Sequence, residues 1–256
     1  MDVSAYLRRI GYDGSLETTV ETLRELHRAH LLTVPFENLD ISKKRPIALF
    51  RDRLFQKIVT QRRGGFCYEL NGLFAELLKT LGYDVTLVSA RVSLNQDKVA
   101  PEFDHLALIV SFEIEGAGPQ RWLADVGFGD SFIEPLRLED GREEIQRGYA
   151  YQLREVRPGE WSAKQRKADD KSWGGMYDFS MIPRRLADFS GMCRYHQTSP
   201  DSGFTKGRVC SIATVDGRKT LSQEQLIIDR DGERIERRVD PEEWYELLRS
   251  EFGVNL

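Results

Sequence analysis

The chain has 256 residues, enough for two or three small domains, and its 37 Lys and Arg residues against 41 Asp and Glu residues give a net charge of −4. Basic and acidic residues are interspersed rather than grouped in a basic stripe, so we expect no nucleic-acid partner. No apolar run approaches the ~20 residues that span a bilayer. Residues 1–6 also lack the pattern of a signal peptide, so we expect a cytoplasmic protein with no membrane association.

Helical patterns occupy the first 82 residues. Residues 3–10 form a short amphipathic segment, and a capping box at residues 18–21 predicts the start of a helix that should end before Pro35. A further helix is predicted over residues 52–60, where apolar side chains recur at helical spacing. We therefore predict a helical unit over residues 1–82.

The cysteine and histidine content argues against a metal site. Cys67, Cys193 and Cys210 are an odd number without a Cys-x-x-Cys pair, which is typical of a reducing compartment and gives no zinc framework. His27 and His30 lie three residues apart on a predicted helix, but no third ligand follows at metal-site spacing. We interpret both histidines as surface or packing residues and expect no bound metal.

The loop over residues 34–41 combines apolar residues with carboxylates. A carboxylate that is buried needs a partner, and Arg63 is the candidate partner of Glu37. In the alternative interpretation, Glu37 is simply solvated.

Residues 62–74, with the sequence RRGGFCYELNGLF, place a cysteine at the start of a helix. Two consecutive glycines permit a sharp turn, and the apolar residues that follow recur at helical spacing until Gly82. Cys67 therefore lies in the first helical turn, where free N–H groups and the positive end of the helix dipole favour the nucleophilic thiolate. Arg62 and Arg63 are possible cationic neighbours. The alternative is a small buried hydrophobic cysteine, and the glycine turn favours a reactive one.

From residue 83 the apolar pattern alternates with a period of two. The strands predicted from this alternation lie at residues 85–92, 105–114, 121–126, 149–156 and 161–166. Residues 83–182 are thus predicted to form a β-rich unit.

The last part of the chain, residues 183–256, mixes both patterns. A helical pattern runs from about residue 182 to residue 193, and strands are predicted at residues 209–215, 225–229 and 233–239. A final helix is predicted to start at Asp240 and Pro241, a cap residue followed by proline at the first helical position. Its buried face should hold Trp244, Leu247, Leu248 and Phe252.

His105 and Asp125 are the candidate partners of Cys67. His105 opens an apolar strand and Asp125 ends the next one, so their side chains could meet and satisfy each other. We expect Asp125 to face Nδ1 of His105, and the three residues to supply a nucleophile, a base and a group that orients the base. Taken alone, a histidine at a strand edge is often only a satisfied polar residue.

Four segments in this order resemble the arylamine N-acetyltransferase family: VPFENLD (34–40), RGGFCYELN (63–71), HL (105–106) and ADVGFG (124–129). The resemblance extends over nearly the whole chain, from YLRRI (6–10) to SPDSGF (199–204). It implies an α+β fold of three parts: a helical bundle over residues 1–82, a β-barrel over 83–182 and an α/β lid over 183–256. The first two parts would share the core of cysteine proteases and transglutaminases.

The resemblance also implies an activity, acetyl transfer from acetyl-CoA to arylamines, hydrazines and N-hydroxyarylamines, with a part in xenobiotic metabolism. By motif, Cys67, His105 and Asp125 match the catalytic triad of the family. The aromatic residues that match its acceptor pocket are Phe36, Phe128 and Phe204, and Gly127 and Gly129 match backbone near the bound acyl-CoA.

The residues themselves predict a compatible mechanism. A Cys67 thiolate paired with protonated His105 attacks the thioester carbonyl, coenzyme A leaves, and an amine then takes the acetyl group from the enzyme. This order predicts ping-pong kinetics. The turn at residues 127–129 is not a phosphate loop, because no Gly-Lys-Ser or Gly-Lys-Thr follows, so coenzyme phosphates would rely on backbone N–H groups and nearby basic side chains.

Three alternatives stay open at this point. An amide synthase of polyketide assembly would take its acyl group from a carrier protein. A thiol hydrolase or transglutaminase-like enzyme would resolve the acyl-enzyme with water or a lysine amine. A non-catalytic binding or redox-sensing module would use Cys67 only as an oxidisable thiol.

Overall fold

The computed structural model describes residues 1–95, 98–114 and 118–256. Up to residue 82 its elements are α1 (Val3–Ile10), α2 (Val20–Thr33), β1 (Phe36–Glu37), α3 (Leu39–Ser42), α4 (Arg51–Phe55) and α5 (Cys67–Leu81). A π-helical turn at Gln56–Thr60 continues α4. The predicted helices are confirmed, and α2 ends before Pro35 as expected.

Local capping explains where these helices begin and end. Thr19 caps α2 by accepting from the Thr22 N–H at 3.1 Å, one residue later than the predicted box. Helix α5 ends at Gly82, whose φ of 101° lies in the left-handed region that favours glycine. At its other end, the Glu69 carboxylate accepts from the Phe66 N–H at 3.2 Å. The turn before α5 is therefore held from within the helix.

Eight strands of the described residues form one antiparallel sheet. They are β2 (Asp84–Val92), β3 (His105–Ile114), β4 (Gly118–Ala124), β5 (Leu136–Arg137), β6 (Glu143–Gln146), β7 (Tyr149–Arg157), β8 (Glu160–Lys167) and β9 (Gly174–Ser180). Their order across the sheet is β5-β4-β3-β2-β9-β8-β7-β6, and β5 contacts β7, so the sheet is curled and nearly closed. Four of the five predicted strands lie within one residue of these bounds, while β4 starts and ends earlier than expected.

A second sheet has the order β1-β10-β11-β12-β13 among the described residues. Its later strands are β10 (Cys210–Ala213), β11 (Gly217–Leu221), β12 (Gln225–Arg230) and β13 (Glu233–Arg238). Helix α6 (Ser190–Thr198) precedes this sheet, and α7 (Trp244–Phe252) packs against it. The fold is therefore α+β, with an N-terminal helical bundle, a central barrel-like sheet and a C-terminal α/β lid. The division at residues 82 and 182 stays a prediction, since β1 pairs with β10 across it.

Several elements differ from the sequence-based expectation, among them β6 and β11, which lie in no predicted strand. The final helix begins at Trp244, because residues 241–243 form a turn that leads from β13 into it. The segment expected to be helical from residue 182 first pairs with β2, where the Arg184 N–H donates to the Leu87 carbonyl at 2.8 Å. Strand β9 was missed because it begins with two glycines, which hide the alternating pattern.

Three clusters of buried side chains stabilise these layers. The first lies between the helical bundle and the barrel-like sheet, the second inside the curled sheet, and the third between the second sheet and α7. Helix α5 lies in the first cluster, with 11 of its 15 residues buried. None of the helices in the described ranges is long and apolar enough to cross a membrane.

Candidate active site

Cys67 begins α5 at a point where three chain segments meet. A Cβ at Gly64 would lie 2.0 Å from the Pro35 carbonyl oxygen, so only glycine permits this approach of the turn to the segment before β1. On the other side, a Cβ at Gly127 would lie 2.8 Å from the Cα of Cys67. The loop after β4 therefore packs directly against the cysteine.

The surroundings of the Cys67 thiol favour its neutral form. Burial raises the pKa of this thiol well above its usual range, and the carboxylates of Asp125 and Asp104 raise the pKa further. A hydrogen bond from the Leu106 backbone N–H lowers it only in part. The helix start favours the thiolate, as the sequence predicts, but burial of the thiol opposes it. Proton removal from Cys67 needs a base.

His105 lies beside Asp125, as expected from their positions on neighbouring strands. Nε2 of His105 is 2.7 Å from Oδ2 of Asp125, and both side chains are buried. Burial alone would raise the pKa of Asp125, but the interaction with His105 and hydrogen bonds from Asn71 and the Gly127 N–H outweigh it, so that pKa is lowered. Asp125 is thus a carboxylate that accepts from Nε2–H. The expectation that it faces Nδ1 is wrong, and Nδ1 is left as the basic ring nitrogen.

Asn71, one helical turn after Cys67, ties the site together. Its Nδ2 donates to Oδ1 of Asp125 at 2.8 Å and to the Leu106 carbonyl at 2.6 Å. Its Oδ1 accepts from the Val126 N–H at 2.9 Å. One side chain therefore links α5 to both strands that carry the histidine and the aspartate. The spacing of four residues from Cys67 was the available signal, and it was not used.

His27 also supports Asp125, from helix α2. Its Nε2 accepts from the Asp125 backbone N–H at 3.0 Å, and its Nδ1 donates to the Ile133 carbonyl at 2.9 Å. Burial lowers the pKa of His27 to about 4, so the ring is neutral near pH 7 and can accept. His30 is buried as well, with Nδ1 bonded to the Tyr6 hydroxyl at 2.8 Å. Both histidines are packing residues, and the surface alternative is wrong.

Cys67 and His105 face a cavity of about 880 Å³. Phe36, Phe128 and Phe204 line the same cavity, so the structure brings these predicted aromatic residues to the thiol. The rings of Phe36 and Phe204 are 6.2 Å apart, and Phe128 meets the His105 ring at 5.3 Å, edge to face. The cavity is thus largely apolar and aromatic.

Backbone and basic groups complete the cavity wall. Gly127 lines it, whereas Gly129 lies behind the lining with a φ of 95°, where a Cβ would meet the Phe36 ring at 3.6 Å. Arg208 also lines the cavity, with its guanidinium 3.7 Å over the Trp244 ring. Residues 222–225 contribute a further part of the wall.

Five buried charged side chains lie behind the cysteine turn. Arg63 donates to Oε1 of Glu37 at 2.7 Å and 3.0 Å and to Asp40 at 3.1 Å, which confirms the predicted Glu37–Arg63 pair. Lys57 bonds Glu69 and Asp40, each at 2.9 Å. Arg63 pairs with these carboxylates, whereas the sequence had suggested it as a possible cationic neighbour of the thiol. The cluster instead fixes the turn that carries Cys67.

No group of three or more His, Cys, Asp and Glu side chains in residues 1–95, 98–114 and 118–256 is placed to hold a metal ion.

A protein-family model described as N-acetyltransferase matches residues 19–256 of the chain. The protein with this fold and site is therefore an N-acetyltransferase by class.

Two relatives identify the family to which the chain belongs within this class. The chain is 34% identical to the arylamine N-acetyltransferase of Mycolicibacterium smegmatis, covering 100% of this chain and 93% of that one. It is 31% identical to human arylamine N-acetyltransferase 1, covering 100% and 95%. The chain belongs to the arylamine N-acetyltransferase family.

Solved structures agree with this assignment. The arylamine N-acetyltransferase of M. tuberculosis superposes with a TM-score of 0.90 at 34% identity, covering 99% of this chain and 94% of that one. The Mycobacterium marinum arylamine N-acetyltransferase in complex with CoA superposes with a TM-score of 0.88 at 31% identity, covering 99% and 93%.

Proposed function

We propose that this protein transfers acetyl groups from acetyl-CoA to arylamines, hydrazines or N-hydroxyarylamines through a thioester on Cys67. The observation that carries the proposal is the 2.7 Å hydrogen bond between His105 and an ionised Asp125, with His105 and Cys67 facing one aromatic cavity. This is the set of roles that covalent acyl transfer requires: nucleophile, base and a group that orients the base.

In the first half-reaction, Cys67 loses its proton as it attacks. Because burial favours the neutral thiol, Nδ1 of His105 takes the proton while Sγ adds to the thioester carbonyl carbon. Asp125 holds Nε2–H and stabilises the imidazolium. Collapse of the tetrahedral adduct breaks the bond to the coenzyme sulfur, which receives the proton, and an acetyl thioester remains on Cys67.

In the second half-reaction, the amine replaces coenzyme A. The amine nitrogen attacks the acetyl carbonyl, its proton passes to His105, and the Cys67 sulfur leaves and is reprotonated. The aromatic wall of Phe36, Phe128 and Phe204 suits a flat aromatic ring and limits access of water. Transfer to an arylamine is thereby favoured over hydrolysis.

The donor is proposed from the cavity and from one relative. Gly127 lines the cavity and packs against Cys67, and Arg208 on the cavity wall is a cation that could bind a coenzyme phosphate. The M. marinum relative with CoA supports a coenzyme A thioester as donor.

The test is intact-protein mass spectrometry after incubation with acetyl-CoA. We expect one acetyl group on Cys67, which an arylamine removes faster than water does. Cys67→Ser should carry no acetyl group and lose turnover by about 10³-fold or more, since a serine hydroxyl in this site stays protonated. Cys193→Ala and Cys210→Ala are the controls and should keep turnover, because neither thiol lines the cavity that Cys67 faces.

Other outcomes point to the alternatives. Acylation only from a carrier-bound donor would support an amide synthase, and faster release to water than to amines would support a hydrolase. No acylation from any donor would contradict every covalent mechanism and leave a binding module.

A further inference from the structure

Asp104 places a carboxylate in the wall of the cavity that Cys67 faces. Its side chain keeps 17% of its surface exposed, so a molecule in the cavity can approach it. In the described ranges no Lys or Arg lies within 4.0 Å of this carboxylate. Its contact at that range is Nε2 of His196, which lies 3.3 Å from Oδ1 without the direction of a hydrogen bond. The acyl-transfer steps above do not use Asp104.

Asp104 is held beside the thiol from two sides. The next residue in the chain is His105, which lines the same cavity. The hydroxyl of Tyr68, the residue after Cys67 on α5, lies 3.0 Å from the Asp104 carbonyl oxygen and 2.7 Å from that of Phe103. Both the helix that carries the cysteine and the strand that carries the histidine therefore fix the position of Asp104.

The charge of Asp104 acts at the sulfur atom. Burial raises the pKa of the Cys67 thiol most, and the carboxylates of Asp125 and Asp104 make the next largest contributions. Asp125 has His105 as a close partner, 2.7 Å away. Asp104 adds a second carboxylate at the end of the cavity where the acyl group is transferred. The aromatic wall has a low dielectric constant and strengthens the resulting negative potential.

This potential is compatible with the proposed donor. The phosphates of a coenzyme A thioester are separated from the reacting carbonyl by the long pantetheine arm. Arg208, the one Arg or Lys of the described chain that lines the cavity, stacks 3.7 Å over Trp244 of α7 and suits that distant negative charge. The acceptor amine has no such spacer, because a substituent on its ring lies only a few bonds from the reacting nitrogen.

We propose that Asp104 determines the charge specificity of the acceptor site, so that uncharged aromatic amines are accepted and amines with a carboxylate on the ring are disfavoured. A ring carboxylate that enters the cavity meets a like charge in a partly dehydrated wall, whereas a neutral substituent of the same shape does not. Phe36, Phe128 and Phe204 carry no charge that could compensate. The inference names the substrate class of the proposed acetyl transfer and rests on it.

The first experiment uses two matched pairs of acceptors at pH 8, where an unperturbed imidazole is neutral. The pairs are 4-aminobenzamide with 4-aminobenzoate, and 3-aminobenzamide with 3-aminobenzoate. The members of a pair have the same shape and differ in charge. In a ping-pong reaction, kcat/KM for the amine reports the second half-reaction only, so effects on acylation by acetyl-CoA cancel.

The measured quantity is the ratio of kcat/KM for the amide to kcat/KM for the carboxylate. Intrinsic differences in the reactivity of the two amines cancel when this ratio is compared between the wild type and a variant. Asp104→Asn should lower the ratio by about tenfold in at least one pair, because it removes the charge and keeps the shape of the side chain.

The second experiment measures the same selectivity without acetyl transfer. Iodoacetamide and iodoacetate both alkylate the Cys67 thiolate and differ in charge. Asp104→Asn should speed alkylation by both reagents, because loss of the carboxylate brings the pKa of the thiol closer to its usual value. The gain should be about tenfold larger for iodoacetate, which the carboxylate also repels.

Two variants are the controls. Asp104→Glu keeps the charge and should keep both selectivities close to those of the wild type. Asp201→Asn removes an exposed carboxylate that does not line the cavity and should change neither. If Asp104→Asn does not fold, the wild type still decides: relative to 2-mercaptoethanol, a neutral free thiol, Cys67 should disfavour iodoacetate by about tenfold, and equal selectivity of the two thiols would overturn the inference.

The outcomes separate this inference from the proposed function. Absence of an acetyl thioester on wild-type Cys67 would contradict the function, while the alkylation rates would still test the charge of Asp104. If the thioester forms but Asp104→Asn changes neither selectivity, the assignment of Asp104 is wrong and the acyl transfer stands. Equal losses of kcat/KM for amide and carboxylate would give Asp104 a structural role and also overturn the inference.

Discussion

Arg63→Ala should destabilise the protein strongly, because it removes one of two cations from a buried charge cluster. Arg63 is 4% exposed and Glu37 is fully buried, and their contacts of 2.7 Å and 3.0 Å have no room for water. Lys57 cannot take over, since it already bonds Glu69 and Asp40 and lies 3.7 Å from Glu37. The cluster of three carboxylates and two cations would be left with a single cation.

The expected loss follows from the cost of an unpaired buried charge. Breaking such a pair by removing one partner costs about 3–5 kcal/mol. For a protein of this size, about 1 kcal/mol shifts the unfolding midpoint by roughly 2–4 °C. We therefore expect the midpoint of Arg63→Ala to fall by about 6–20 °C at pH 7.

The loss should also depend on pH. Burial would raise the pKa of Asp40, but Lys57 and Arg63 outweigh it and the pKa is lowered. A depressed carboxyl pKa contributes stability above the pKa of the unfolded chain, and this contribution disappears as the pH falls through the folded pKa. Once the carboxylates are protonated, the cation is no longer needed. The difference between Arg63→Ala and the wild type should therefore be largest near neutrality and shrink below about pH 4.

The assay is thermal unfolding followed by tryptophan fluorescence at several pH values. Arg62→Ala is the matched control, since it removes the same charge from the exposed neighbouring position and should move the midpoint by less than about 2 °C. The double variant Glu37→Gln/Arg63→Met should recover part of the loss, because it leaves no carboxylate unpaired. An Arg63→Ala midpoint as close to wild type as that of Arg62→Ala would refute the reasoning.

Two further predictions concern Asp125 and His27. Asp125→Asn should slow iodoacetamide alkylation of Cys67 near pH 7 by at least ~10-fold. The reason is that an amide N–H facing Nε2 of His105 forces the ring proton onto Nδ1, so His105 can no longer take the proton of Cys67. If the variant and the wild type gave superimposable profiles of alkylation rate against pH, Asp125 would have only a structural role. Since the pKa of buried His27 is lowered to about 4, the unfolded chain binds more protons than the folded one between about pH 6.5 and 4. Stability should fall across this window as the pH is lowered, with about 3 kcal/mol due to His27, and urea titrations of His27→Gln should show a shallower fall.

Helices and strands whose turns, apolar faces and caps lie within one short segment were predicted correctly from the sequence. The two glycines, the helical spacing after them and Gly82 define α5 correctly because turn, face and cap all lie within one short segment. Strand β9 was missed because its partners β2 and β8, and not its own alternation, make it a strand. The start of α7 was wrong because the chain must first turn back from β13 onto the second sheet.

The sequence motifs predicted the candidate triad, but they did not predict the residues that hold it in place, His27 and Asn71. His27 bonds to a residue 98 positions away, and Asn71 bonds to residues 35 and 54 positions further on. The spacing of Asn71 from Cys67 places it on the same side of α5, but no local pattern gives the partners of either residue. His196 and Asp104 are likewise brought together only by the packing of α6 against the segment before β3. The opposing effect of burial on the ionisation of Cys67 could not be predicted for a related reason, because burial is a property of the folded chain.

Burial of the thiol is compatible with its use as a nucleophile. Release of the Cys67 proton to solvent would add a second negative charge beside Asp125, and burial penalises that step. Transfer of the proton to His105 creates a thiolate and an imidazolium together, so the buried unit of three residues keeps the same net charge of −1 before and after. Desolvation therefore opposes release of the Cys67 proton to water more strongly than it opposes transfer of that proton to His105. The alkylation profile of Cys67 should accordingly report a titration of the coupled pair, and Asp125, which holds Nε2–H at 2.7 Å, determines which side of that pair carries the proton.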